Sequence, residues 1–255
     1  PLITAGVDIG SSTSKAVLLD DDRILSCSII PTGAESVNSA RRVMDEALQK
    51  AAISIEAIKY VIATGYGRVI VPFADDTITE ITCQAWGVRH RVPEAATIVD
   101  IGGQDSKLLR LGADGGVRDF VMNDRCAAGT GRFLEVVAER LGIPVGDLGA
   151  MASKSHSPAA ISSMCVVFAE TEIIGLLAGG RPGEDIVAGV QNAIASRIVA
   201  MAGRSVESPI LFTGGVARIS GMETALQTAL GQPVKISPEP QMTGALGAAL
   251  LARRS

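Results

Sequence analysis

A short stretch that occurs twice constrains this chain more than any other feature. Residues 7–17 read VDIGSSTSKAV and residues 99–109 read VDIGGQDSKLL, so Val-Asp-Ile-Gly recurs with Ser-Lys at the same offset. Each copy begins in an apolar run (residues 3–9 and 96–101) and continues in a second one (16–19 and 108–111). Apolar run, glycine-containing turn, apolar run is the pattern of a β-hairpin. More strand signal follows each copy, over 23–30 and 116–122, and then a helical pattern. Val37, Ala40, Met44, Ala47, Leu48 and Ala51 fall on one helical face, as do Leu134, Val137, Ala138 and Leu141 within 126–141. The duplication predicts an α/β protein of two similar subdomains. A solenoid would need a short repeat period, which is absent.

The rest of the chain fits this plan. Residues 58–63 read as a buried strand ending in the turn Thr64-Gly65-Tyr66-Gly67-Arg68. Helices are predicted over 165–178 and 184–202, with Pro182 just inside the start of the second. A strand over 210–213 runs into Gly214-Gly215, a helical stretch continues to Leu230, and an Ala-rich helix spans 241–254. The expected division is 1–95 and 96–255, with the terminal helix crossing back to the first part. The chain has 255 residues, 3% of them aromatic, with 28 glycines and a net charge of −4, so its core rests on Ala, Val, Ile and Leu. A slightly acidic chain has no general attraction for nucleic acid. No apolar run is long enough to span a membrane, and residues 1–30 alternate like strands rather than like a signal peptide. The expectation is a cytoplasmic protein with neither nucleic acid nor membrane as partner.

A doubled Gly-rich hairpin suits a ligand with several phosphates, because each wall of the site must offer backbone N–H groups without side chains in the way. Gly10, Gly102 and Gly103 permit that approach, and Ser11, Ser12, Thr13 and Ser14 add hydroxyls. Asp8 and Asp100 stand at strand ends facing the turns, where a carboxylate can hold Mg²⁺ through water. Lys15 can neutralise phosphate charge. Asp105 can reach the metal or orient the attacking water, with Gln104 beside it. Gly214 and Gly215, after a strand, let backbone pack against adenosine, and Gln241 joins the nucleotide-binding set. One Asp-x-Gly alone is more often a plain turn; two copies and a third glycine pair argue for ATP/ADP. No Gly-x-Gly-x-x-Gly opens a helix and no Walker A pattern is present, which argues against the other common nucleotide folds. The whole set resembles the actin-like ATPase superfamily, of actin/Hsp70/sugar-kinase architecture with a ribonuclease H-like fold, in which two similar subdomains flank a nucleotide cleft.

Four cysteines remain: Cys27, Cys83, Cys126 and Cys165. Cys27 falls in a strand pattern and Cys83 in a helical one, so both read as core. Cys126 (in MNDRCAAGTG) and Cys165 (in SSMCVVFAE) each follow a strand-like stretch and open a helix, where a thiolate is favoured. Two thiolates cannot close a four-ligand metal site, although a two-fold dimer can supply two pairs. Chemistry alone leaves packed thiols as the plainer reading.

The segments MNDRCAAGTGRFLEV, SSMCVVFAETEII and FTGGVARISG resemble the activators of 2-hydroxyacyl-CoA dehydratases, of the 2-hydroxyglutaryl-CoA dehydratase component A type. The resemblance extends from Val7-Asp8-Ile9-Gly10 through residues 63–68 to Gly244-Ala245-Leu246-Gly247. It implies a homodimer sharing one [4Fe–4S] cluster, with Cys126 and Cys165 as ligands. It also implies ATP hydrolysis coupled to one-electron delivery to a 2-hydroxyacyl-CoA dehydratase, with reduced ferredoxin or flavodoxin as donor. The ATPase subunits of benzoyl-CoA reductase share these motifs, so a subunit of that acyl-CoA reductase type is the neighbouring reading. A small-molecule kinase of the same superfamily is the alternative from another class, and a redox-inert ATPase regulator the third.

Overall fold

In the computed structural model the described residues are 2–162, 165–203 and 205–255. Contacts divide the chain into two compact units: residues 1–95 with 111–118 and 241–255, and residues 96–110 with 119–240.

Unit 1 opens with the meander β1 (Ile3–Ile9), β2 (Thr13–Asp20) and β3 (Arg23–Pro31), followed by α1 (Ser36–Ala51). Next come β4 (Tyr60–Thr64), β5 (Asp76–Thr77) and α2 (Glu80–Arg91); α8 (Thr243–Ala252) completes the unit. The sheet order is β3-β2-β1-β4-β5, with β4 parallel to β1. Side chains of a strand alternate between the two faces, and β2 shows the consequence. Ala16 and Leu18 pack with Val43, Met44 and Ala47 of α1, whereas Val17 and Leu19 pack with Ala245, Leu246 and Ala249 of α8.

Glycines set the spacing on the α8 side. A Cβ on Gly6 would lie 2.0 Å from the Ala245 carbonyl oxygen, one on Gly87 1.8 Å from that of Thr243, and one on Gly247 1.7 Å from that of Cys83. The three backbones thus approach as closely as main chain permits.

Unit 2 repeats the plan with β6 (Thr97–Ile101), β7 (Ser106–Leu111) and β8 (Val117–Asn123), then α3 (Gly131–Leu141) and α4 (Leu148–Ala152). α5 (Val166–Ala178), α6 (Gly183–Ala202), β9 (Ile210–Thr213), α7 (Met222–Leu230) and β10 (Val234–Ile236) follow. The sheet order, β8-β7-β6-β9-β10, reproduces that of unit 1 strand for strand. Its core joins Val99, Ile101 and Leu108 to Phe133, Leu134 and Val137 of α3 and Ile186, Val190 and Ile194 of α6. The architecture is that of an α/β actin-like ATPase.

Several expected boundaries shift. Val37, in the first turn of α1, is exposed, and Val43 takes its place on the buried face. The helix expected over 126–141 starts at Gly131, after a 3-10 turn over Ala127–Gly129. Pro182 is the N-cap of α6 rather than its first residue, and Gln241 precedes α8. Among the described residues no strand leads to Cys165: residues 157–162 are irregular, and Ser163 and Met164 lie outside the described residues.

Candidate functional site

Antiparallel pairing places an aspartate opposite a lysine in each copy of the repeat: Asp8 faces Lys15 on β1 and β2, and Asp100 faces Lys107 on β6 and β7. In unit 1 Lys15 Nζ lies 3.3 Å from Asp8 Oδ2, both side chains 13% exposed. In unit 2 Lys107 is 2% exposed and reaches Asp100 at 3.4 Å and Asp105 at 2.7 Å. A buried ammonium is tolerated only with such partners.

A third strand meets each aspartate. Thr64 of β4 pairs with Asp8, and Thr213 of β9 with Asp100. Each threonine is followed by a glycine in the left-handed region, Gly65 at φ +85° and Gly214 at φ +90°. A Cβ on Gly65 would lie 2.3 Å from Asp8 Oδ1, and one on Gly214 2.7 Å from Asp100 Oδ1. Only glycine satisfies both the dihedral and the approach. Thr213 also donates its hydroxyl to Asp100 at 3.1 Å. The duplication therefore includes a Thr-Gly turn in each half. Ala63-Thr64-Gly65 and Phe212-Thr213-Gly214 carry that signal, which comparing the hairpins alone misses.

The turn between β1 and β2 (loop one, the first expected phosphate loop) exposes Ser11 and Ser12, with Thr13 half-buried. Ser14 has a different task from the one expected. It is buried, and its hydroxyl shares a 2.9 Å hydrogen bond with Thr32, which donates to the Gly10 carbonyl at 2.8 Å. Alternation explains this: Ser14 points to the opposite face of β2 from Thr13 and Lys15. Its hydroxyl frames the loop, and Thr32 is the partner that sequence reasoning missed. Gly244, at the head of α8, also leaves room for Asp8: a Cβ there would sit 3.1 Å from Oδ2.

The turn between β6 and β7 (loop two, the second expected phosphate loop) comprises Gly102, Gly103, Gln104 and Asp105, closed by the Gly102 N–H donating to the Asp105 carbonyl at 2.9 Å. Its carbonyls are engaged as well. Gly131 N–H donates to Gly102 O at 2.8 Å and Arg132 N–H to Gly103 O at 2.9 Å. These are the first two amides of α3, which would otherwise lack intrahelical acceptors. Thr130 caps the same helix, accepting from Arg132 N–H at 3.3 Å.

That geometry corrects the expected setting of Cys126. The residue does not open an α-helix; it is the N-cap of the 3-10 turn, and loop two occupies the first amides of α3. Its backbone is held by Asn123, whose Oδ1 accepts the Cys126 N–H at 2.9 Å while Nδ2 donates to the Cys126 carbonyl at 2.8 Å. Cys165 does stand at a helix start, as N-cap of α5, and is exposed. Glu172 reaches back from α5 to accept from the Ser162 amide at 2.9 Å and hydroxyl at 2.9 Å. Arg140 of α3 ion-pairs with Glu170 of α5, joining the two helices that follow the cysteines. Cys27 is half-buried beside the α8 cluster. Cys83 is buried, and burial pushes its thiol up to about 12.

The sequence-predicted residues thus fall into two sets. Asp8, Ser11, Ser12, Thr13, Ser14, Lys15 and Gln241 belong to unit 1; Gly102, Gly103, Gln104, Asp105, Cys126, Cys165, Gly214 and Gly215 belong to unit 2. Among the described residues no group of three or more His, Cys, Asp or Glu gathers as a metal cage, and no helix is long and apolar enough to cross a membrane.

Known proteins are similar to this chain over nearly its full length. The activator of lactoyl-CoA dehydratase from Anaerotignum propionicum is 44% identical over 253 residues, covering 98% of this chain and 97% of that protein. Component A of (R)-2-hydroxyglutaryl-CoA dehydratase from Acidaminococcus fermentans superposes with a TM-score of 0.95 at 40% identity, covering 100% of this chain and 98% of the other. The activator of 2-hydroxyisocaproyl-CoA dehydratase from Clostridium difficile, solved with bound ADPNP, gives 0.93 at 42% identity over 98% and 94% of the two chains. The sequence profile that matches residues 5–252 agrees with them, and the chain belongs to the BadF/BadG/BcrA/BcrD ATPase family.

Proposed function

We propose that this protein is an ATP-driven activator that delivers single electrons to a 2-hydroxyacyl-CoA dehydratase. The observation that carries the reading is the bonding of loop two to α3: the Gly102 and Gly103 carbonyls hold the helix that directly follows the Cys126 segment. A rearrangement of loop two on nucleotide hydrolysis therefore reaches Cys126 across a few hydrogen bonds. Identities of 44% and 42% to named activators over nearly the whole chain favour this role over a small-molecule kinase. A subunit of a benzoyl-CoA reductase-type enzyme is the neighbouring assignment within the family.

Phosphoryl transfer relies on positioning and charge neutralisation rather than on an activated nucleophile. Asp8 and Asp105 are assigned to Mg²⁺ and water, Gln104 to water or phosphate, and Lys15 to phosphate charge. Gly214, Gly215 and Gln241 are assigned to the nucleoside. The residues also fit a [4Fe–4S] cluster shared by two copies. Cys126 is flanked by Ala127, Ala128 and Gly129, small enough for a bulky group to approach, and Cys165 is exposed at a helix start. A bound cluster supplies one-electron chemistry at low potential. Two thiolates per chain leave two ligands to a second copy. Val167 and Phe168, immediately after Cys165, are 67% and 69% exposed, an apolar surface suited to being covered by that copy. Reduced ferredoxin or flavodoxin is the donor.

Anaerobic purification followed by iron analysis and native mass spectrometry tests this. The expected result is about four irons per two chains, with ATP-dependent reduction of an added dehydratase. An iron-free monomer that hydrolyses ATP would refute it.

A further inference from the structure

We propose that Asn123 is a positioning residue that fixes the Cys126 backbone and ties it to Ser106, the first residue after phosphate loop two. The inference rests on the activator reading only where it concerns the cluster. A carboxamide offers one acceptor oxygen and two donor hydrogens. Asn123 uses all three. Oδ1 accepts the Cys126 N–H at 2.9 Å, and Nδ2 donates to the Cys126 carbonyl at 2.8 Å and toward Ser106 Oγ at 3.5 Å. No carboxylate or hydroxyl of that length can match this set. Gly129 makes room for it, since a Cβ there would lie 3.1 Å from Nδ2 and 3.6 Å from Ser106 Oγ.

Comparing the two repeats shows that this tie is not a generic feature of the hairpin. Ser14 and Ser106 occupy the same position in the two copies. Ser14 bonds Thr32, which returns to the Gly10 carbonyl, so copy one closes upon itself. Ser106 instead meets Asn123, which turns outward to Cys126. The half that carries the cysteines has replaced a self-closing contact with an outgoing one. Asn123 is thus a second route from loop two to Cys126, parallel to the route through α3.

Two readouts separate this role from general structural support. In anaerobically purified dimer, iron loss to a chelator is timed with ADP and with a non-hydrolysable ATP analogue. In iron-free chain, alkylation of Cys126 and Cys165 is timed by peptide mass spectrometry. Asn123→Ala should speed both iron loss and Cys126 alkylation by about fivefold, the scale of one or two lost hydrogen bonds, while Cys165 keeps its rate. Asn123→Gln, with the same donors on a longer arm, should recover part of the loss. Ser106→Ala should keep the nucleotide-free rates and shrink the difference between ADP and the ATP analogue. Unchanged Cys126 alkylation in Asn123→Ala, or equal acceleration of both thiols, would overturn the positioning role. A full nucleotide effect in Ser106→Ala would overturn the tie to loop two. If Asn123→Ala does not fold, the Gln and Ser106 variants decide the matter. Failure of the activator reading looks different: wild-type protein would hold no iron, yet the alkylation results would stand.

Discussion

Lys107 and Lys15 occupy the same repeat position but face different demands. Lys107 is almost fully buried between Asp100 and Asp105, and removing its charge strands a carboxylate that is 8% exposed. Breaking a buried pair from one side costs about 3–5 kcal/mol, so Lys107→Met should lower stability by that order in thermal or denaturant unfolding. Lys15 is more accessible, and Lys15→Met should weaken nucleotide binding more than it weakens the fold. Comparable losses of stability in both variants would contradict the distinction. The cysteines divide similarly. With its thiol at about 12, Cys83 remains protonated at pH 8 and in iron-free protein should resist iodoacetamide while the exposed Cys165 reacts. Cys126→Ser and Cys165→Ser should each abolish iron binding, whereas Cys27→Ser and Cys83→Ser should retain it.

At the scale of elements, helix α8 is the demanding piece of unit 1. Gly247 lets it lie against the Cys83 carbonyl, and Gly247→Ala would place a Cβ 1.7 Å from that oxygen. Backbone cannot yield as a side-chain tip does, so the variant should lose about 3 kcal/mol or more, the upper end of overpacking costs. A melting temperature within a degree or two of wild type would contradict this packing. Most of these elements are legible in the sequence, because strand alternation and helical spacing are local and the repeat doubles the signal. Three things are not. The N-terminal limit of α3 depends on carbonyls of loop two, far back in the chain. The orientation of Ser14 depends on which face of β2 meets Thr32. The Asn123 clasp joins a strand end to a turn by hydrogen bonds that no residue pattern encodes. Cys126 could therefore be singled out from its motif, while the way it is held could not.

For the molecule as a whole, the proposed shared cluster requires a second copy. Val167, Phe168 and Ile174 of α5, with Phe120 and Met122 of β8, are exposed apolar side chains in the unit that bears both cysteines. Phe168→Glu should give a monomer that binds nucleotide and holds no iron, read by light scattering and iron analysis; an iron-loaded monomer would exclude the shared site. In the proposed activator, nucleotide state alters the surroundings of the cluster. By linkage, a nucleotide that does so must itself bind differently when the cluster changes state. The most direct measurement is the rate of iron release to a chelator from wild-type dimer without nucleotide, with ADP and with ATP. Three distinct rates are predicted, with Asp8→Ala and Asp105→Ala retaining iron but losing the distinction. Identical rates under all three conditions would contradict the account.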